Sequence, residues 1–68
     1  MNPDELYIEI KKLIKEKEDN KRFPTYVLSM ELYKLYGRSN VRKSLVALVN
    51  NGRVLMGNTL NDYYFKIG

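Results

Sequence analysis

The stretch GRSNVRKSLVALVNNGRV, Gly37 to Val54, decides how this chain folds. Val41, Leu45 and Leu48 recur at i, i+4 and i+7, which is one face of a helix. Ser39 or Asn40 is of the right type to cap its start. Asn51-Gly52 closes it, because both residues tolerate the left-handed backbone found just past a helix end. The spacing therefore predicts a helix over 39–51. The same stretch holds Arg38, Arg42, Lys43 and Arg53 and no acidic residue. A helix with one apolar and one cationic face is the smallest part that can lie in a nucleic-acid groove. It is equally the solvated face of a surface helix in any basic protein.

Upstream, Gly37 is a natural helix stop. The segment Thr25 to Tyr36 before it has two readings. Thr25-Tyr26-Val27-Leu28 has the β-branched and aromatic composition of a short strand, with Ser29 then capping a two-turn helix. Alternatively Thr25 caps one helix to Tyr36, with Leu28, Leu32 and Leu35 on one line. The continuous line favours helix across most of the segment. The connector Asp19 to Pro24 is polar except for Phe23, which is expected to plug the core. At the start, Asn2-Pro3-Asp4-Glu5 combines a cap, a proline at the first helical position and an acid three residues after the cap. Leu6, Ile10, Leu13 and the stem of Lys17 follow as one stripe.

Downstream of Arg53 the apolar period becomes two. Val54 and Met56 point one way and Leu55 the other. Tyr63, Phe65 and Ile67 share a face, and Gly57-Asn58 and Asn61-Asp62 supply turn residues between the runs. These runs predict a closing antiparallel hairpin. The fold class is thus α+β, mostly α: three helices followed by a C-terminal β-hairpin, in a single domain over residues 1–68.

Composition narrows the function. With 68 residues there is room for one small core, which on its own supplies only about 3–5 kcal/mol. Cysteine and histidine are both absent. This leaves no thiolate for a disulfide or a metal, no imidazole ligand and no general base titrating near neutral pH. Ser29, Ser39 and Ser44 have no activating partner in view, and the four glycines are isolated rather than gathered in a phosphate loop. The expectation is a non-enzyme with no cofactor, no metal and no small-molecule substrate. No long apolar run or leader-like start is visible, so a cytoplasmic protein without a membrane span is expected. The net charge of +4 is uneven: residues 1–20 carry four lysines against six acids, and residues 21–68 carry eight Lys/Arg against Glu31 and Asp62. A cationic excess confined to one part of the chain points to a polyanion partner.

The order helix, helix, tight turn, helix, hairpin resembles a winged helix-turn-helix domain. The resemblance is carried by Leu32, Tyr36 and Gly37, then by Val41, Leu45, Leu48, Gly52 and Val54, and then by the hairpin. It covers nearly the whole chain but rests mostly on core spacing. It implies a DNA-binding transcriptional regulator or accessory factor, acting as a homodimer, that reads double-stranded DNA with the helix 39–51. Carried onto this chain, it implies exposed, DNA-facing positions at Ser39, Asn40, Arg42, Lys43 and Ala47, with Val46 and Asn50 beside them, phosphate contacts from Lys21, Arg22 and Arg38, and a further DNA contact from Arg53. Asn40 reads first as a cap.

The sequence also departs from that pattern. The link between Gly37 and Val41 is short, and the expected wing tip, Gly57 to Asp62, holds no Lys or Arg. Val46, Ala47 and Val49 are apolar where a DNA-reading helix is usually polar. With Leu60 they motivate the alternative, a protein-interaction module on the same scaffold. The six tyrosines raise a third reading, single-strand stacking. Tyr7, Tyr33, Tyr36 and Tyr63 fall on or beside apolar stripes, which leaves Tyr26 and Tyr64 as the exposed candidates.

Overall fold

Asn2 opens the first helix, α1 (Pro3–Asp19), as its spacing from Glu5 predicts. Its Oδ1 accepts the Glu5 N–H at 2.8 Å and its Nδ2 donates to the Glu5 carboxylate at 3.0 Å. A computed structural model describes all 68 residues, Met1–Gly68. After α1 come β1 (Val27–Leu28), α2 (Ser29–Tyr36), α3 (Arg38–Asn50), β2 (Val54–Asn58) and β3 (Tyr63–Ile67). The strands form one antiparallel sheet in the order β1-β3-β2. The expected hairpin is β2–β3, closed by the pair Asn58 and Tyr63 and aligned Val54 to Ile67. The third strand, β1, lies on the other side of β3 and pairs Val27 with Phe65.

Every element contributes to one core. Leu6 and Ile10 enter from α1, Val27 from β1, Leu32 from α2, Val41, Leu45 and Leu48 from α3, Val54 from β2 and Phe65 from β3. The α1 stripe extends to Leu13 and Ile14, which pack against this cluster. Lys17 ends the stripe as expected of its stem. Its Nζ donates to Glu31 at 2.6 Å and to the Tyr26 carbonyl at 3.1 Å, fastening α1 to α2 and the approach to β1.

Residues 25–36 resolve against the long-helix preference. Strand β1 takes Val27 and Leu28, and α2 begins only at Ser29. Because Leu28 is outside the helix, Leu28, Leu32 and Leu35 are not one helical line. The buried phase of α2 is Ser29 and Leu32, with Tyr36 packed at the edge, and Leu35 is exposed. Phe23 does not plug the core: it is 76% exposed, and Val27 enters the core instead. Tyr26 and Tyr64 are not free platforms either. Their rings stack on each other at 4.6 Å between centroids, and the Tyr64 ring covers Gly57, the residue paired with it on β2.

The caps of α3 also differ from expectation. Its N-cap is Gly37, and neither Ser39 nor Asn40 caps it. Asn40 instead donates its Nδ2 to the Tyr36 carbonyl at 2.8 Å, which closes the end of α2. The far end follows the sequence. Gly52, at φ 74°, donates to Val49 O, and Arg53 donates to Leu48 O, which is the double closure of a Schellman motif. The end of α1 repeats it without glycine: Lys21, at φ 54°, donates to Glu18 O and Arg22 to Lys17 O.

Ser29 is not a cap but a fastening for the hairpin. Its hydroxyl donates to the Asp62 carboxylate, which also accepts the Met30 N–H at 3.3 Å and the Tyr63 N–H at 2.8 Å. Asp62 thus brings a negative charge from the loop before β3 to the N-terminus of α2, where the helix dipole favours it. The Ser29 hydroxyl and then the Tyr63 N–H hold its pKa below the ordinary carboxylate value, with the Met30 N–H adding to them against some desolvation. A lowered folded-state pKa contributes stability above the unfolded carboxylate pKa and loses it as pH falls through the folded value. Asp62→Asn is therefore expected to melt below the parent at neutral pH, with the gap closing in acid once the parent's own carboxyl is protonated. Thermal melts at several pH values check this. A gap that stays constant into acid would show that the charge of Asp62 is not what matters.

Candidate nucleic-acid interface

At 100° per residue the buried residues of α3, Val41, Ser44, Leu45 and Leu48, occupy one side. Directly opposite runs an outward line at i, i+4, i+7 and i+11: Ser39, Lys43, Val46 and Asn50, all exposed. Arg38, Arg42 and Val49 lie on the flank that turns toward the hairpin. There they line a groove of about 340 Å³ together with Tyr33 of α2, Met56 of β2 and Tyr63 of β3, and Val46 and Asn50 of the outward line border the same groove. Arg38 and Arg42 are the only charged residues in that lining. The Arg38 guanidinium stands 5.8 Å from the centroid of the Tyr33 ring, within reach of a cation–π attraction.

The chain forms three ion pairs: Lys12 with Glu9, Lys17 with Glu31, and Arg53 with Asp4. None involves α3, so Arg38, Arg42 and Lys43 carry three unneutralised charges on the exposed side of one helix. Arg53, which the sequence groups with them, is committed elsewhere. It donates to Asp4 at 2.7 Å and lies 4.2 Å above the Tyr7 ring, both on α1. Lys21 and Arg22 are exposed in the turn that ends α1, and Arg22 borders a small recess that it shares with Glu16 and Glu31. Local charge there is mixed in sign. Of the eight DNA-contact candidates, the structure gathers Arg38, Ser39, Arg42 and Lys43 on α3, engages the side chain of Asn40 with Tyr36, and places Lys21, Arg22 and Arg53 by α1.

The apolar candidates do not form one patch. Val46 is 53% exposed, whereas Val49 packs against the core and Ala47 is half-buried. Leu60, 97% exposed, stands at the hairpin tip. The half-exposed neighbours of Val46 in the groove are Met56 and Tyr63. Sequence alternation correctly puts both on the core-facing side of the sheet. It cannot show that the helices stop short of covering them.

At the C-terminal end of α2, Tyr36 donates its hydroxyl to Glu9 at 3.0 Å. Burial first, and then the Glu9 carboxylate, push its pKa up. No three Asp or Glu side chains come together as a metal-holding group. No helix is long and apolar enough to cross a membrane. No protein-family model, curated protein or solved structure matches the chain.

Proposed function

We propose that this chain is a winged-helix module that docks on double-stranded DNA through α3, with the β2–β3 hairpin as its wing. The observation that carries the proposal is the trio Arg38, Arg42 and Lys43, unpaired on the exposed side of α3, while all three ion pairs of the chain are formed by other cations. One α-helix fills the major groove of a B-form duplex. With the outward line of α3 toward the bases, Ser39 and Asn50 face base edges, and Lys43 extends its longer side chain to a phosphate. Arg38 and Arg42 face the sugar-phosphate strand that runs between α3 and the hairpin. Because the wing tip is uncharged, the grip depends on the helix, and one module binds weakly. A homodimer spanning two half-sites gives a useful affinity, as a transcriptional regulator or accessory factor acting in the cytoplasm needs.

Titration of a duplex at several salt concentrations tests this reading. Three phosphate contacts per chain correspond to a slope of about −3 in log K against log salt. Binding that is absent at low salt, or flat as salt rises, would rule out the groove-docking mode. In that event the half-exposed Val46, Met56 and Tyr63 around the groove favour a protein partner.

A further inference from the structure

We infer that Val46 reads the 5-methyl group of thymine, so that the module prefers duplexes carrying thymine over those carrying uracil. The inference rests on the duplex-docking reading above and adds the chemistry of the base it selects. Val46 is the one apolar residue on the outward line of α3, 53% exposed at the rim of the groove that it shares with Met56 and Tyr63. Its companions on that line, Ser39, Lys43 and Asn50, are all polar. Core packing does not explain it, because Val41, Ser44, Leu45 and Leu48 fill the opposite side. In the major groove the only apolar group on any base edge is the thymine methyl. A β-branched side chain keeps few rotamers in a helix, so it presents its two methyls in a fixed place. Lys43 precedes Val46 by three residues and Asn50 follows it by four. One anchors the helix electrostatically, and the other can pair with adenine N6 and N7 beside the thymine.

Covering one methyl group is worth about fourfold in affinity. The test compares four duplexes at one low salt concentration: alternating dA-dT, the same duplex with dU for every dT, alternating dG-dC, and the same duplex with 5-methylcytosine. The parent is expected to bind the dA-dT duplex about fourfold more tightly than its dU counterpart. Methylation of the dG-dC duplex should strengthen binding in the same sense. Val46→Ala, a change at an exposed position, should melt like the parent and bind the dT and dU duplexes equally. Equal binding of dT and dU duplexes by the parent overturns the inference while leaving duplex docking intact. So does a preference that survives in Val46→Ala, because something other than Val46 then reads the methyl or the duplex shape. Failure to bind any of the four duplexes overturns the docking reading itself.

Discussion

Arg42→Ala combined with Lys43→Ala is expected to weaken duplex binding about thirtyfold at low salt and to reduce the salt slope by about 2. Each cation displaces a condensed counterion from the phosphates, and at ~0.05 M salt that release is worth about tenfold in affinity relative to ~1 M. Two contacts set a ceiling near a hundredfold, and the flexibility of exposed side chains reduces what is realised. The fold should not suffer. Both residues are exposed and neither has an acidic partner. Arg38 and Arg42 are like charges at i and i+4, so truncating Arg42 relieves a small repulsion. Isothermal titration or fluorescence anisotropy reads the affinity, and a thermal melt reads the fold. The control is Lys12→Ala with Lys15→Ala on the exposed side of α1, which removes the same charge from the chain. If that pair weakens binding as much as Arg42 and Lys43 do, the effect belongs to net charge and α3 is not the docking face.

Much of this frame was legible in the sequence wherever one short-range pattern decided the outcome. The Asn2–Glu5 cap, the α1 stripe through Leu6 and Ile10, the Val41–Leu45–Leu48 face, the Asn51-Gly52 stop and the two strands of the hairpin all depend on spacings of a few residues. What escaped depends on distant partners. Val27 and Leu28 become strand because β3, formed almost forty residues later, offers an open edge for pairing. The composition of Thr25 to Leu28 offered that strand and the leucine spacing offered a helix, and no local pattern chose between the two. Ser29 has the composition of a cap, yet its hydroxyl meets Asp62 across the chain. Arg53 reads as one more cation of the Gly37–Val54 stretch until Asp4 and Tyr7 fold against it. The candidate site behaves the same way. Its charges were visible, but which of them stay unpaired is a tertiary property. That property reduces four cations in the opening stretch to three on α3 and promotes Met56 and Tyr63 to the groove wall.

Gly37→Ala is expected to cost about 2 kcal/mol and to lower the melting midpoint by about 8–16 °C. Gly37 is the whole connection between α2 and α3, and it turns the chain at φ 86° and ψ 137°. An added Cβ would meet only Asn40 Nδ2, at 3.5 Å. The cost is therefore backbone strain and not overlap. The sequence suggests an ordinary left-handed helix stop here, and that idea makes a different prediction. A left-handed stop accepts asparagine at little cost. A ψ of 137° lies well outside the left-handed helical region, so Gly37→Asn should destabilise nearly as much as Gly37→Ala. Gly52 provides the comparison, because it occupies a Schellman stop at φ 74°, and Gly52→Asn should be tolerated far better. Denaturant or thermal unfolding of the three variants ranks them. A Gly37→Asn protein as stable as the parent would mean that the link relaxes to the left-handed form. The first turn of α3, with Arg38 and Ser39, would then point elsewhere. If instead the ranking holds, only glycine permits the one-residue link, and that link fixes the direction in which α3 presents its charges.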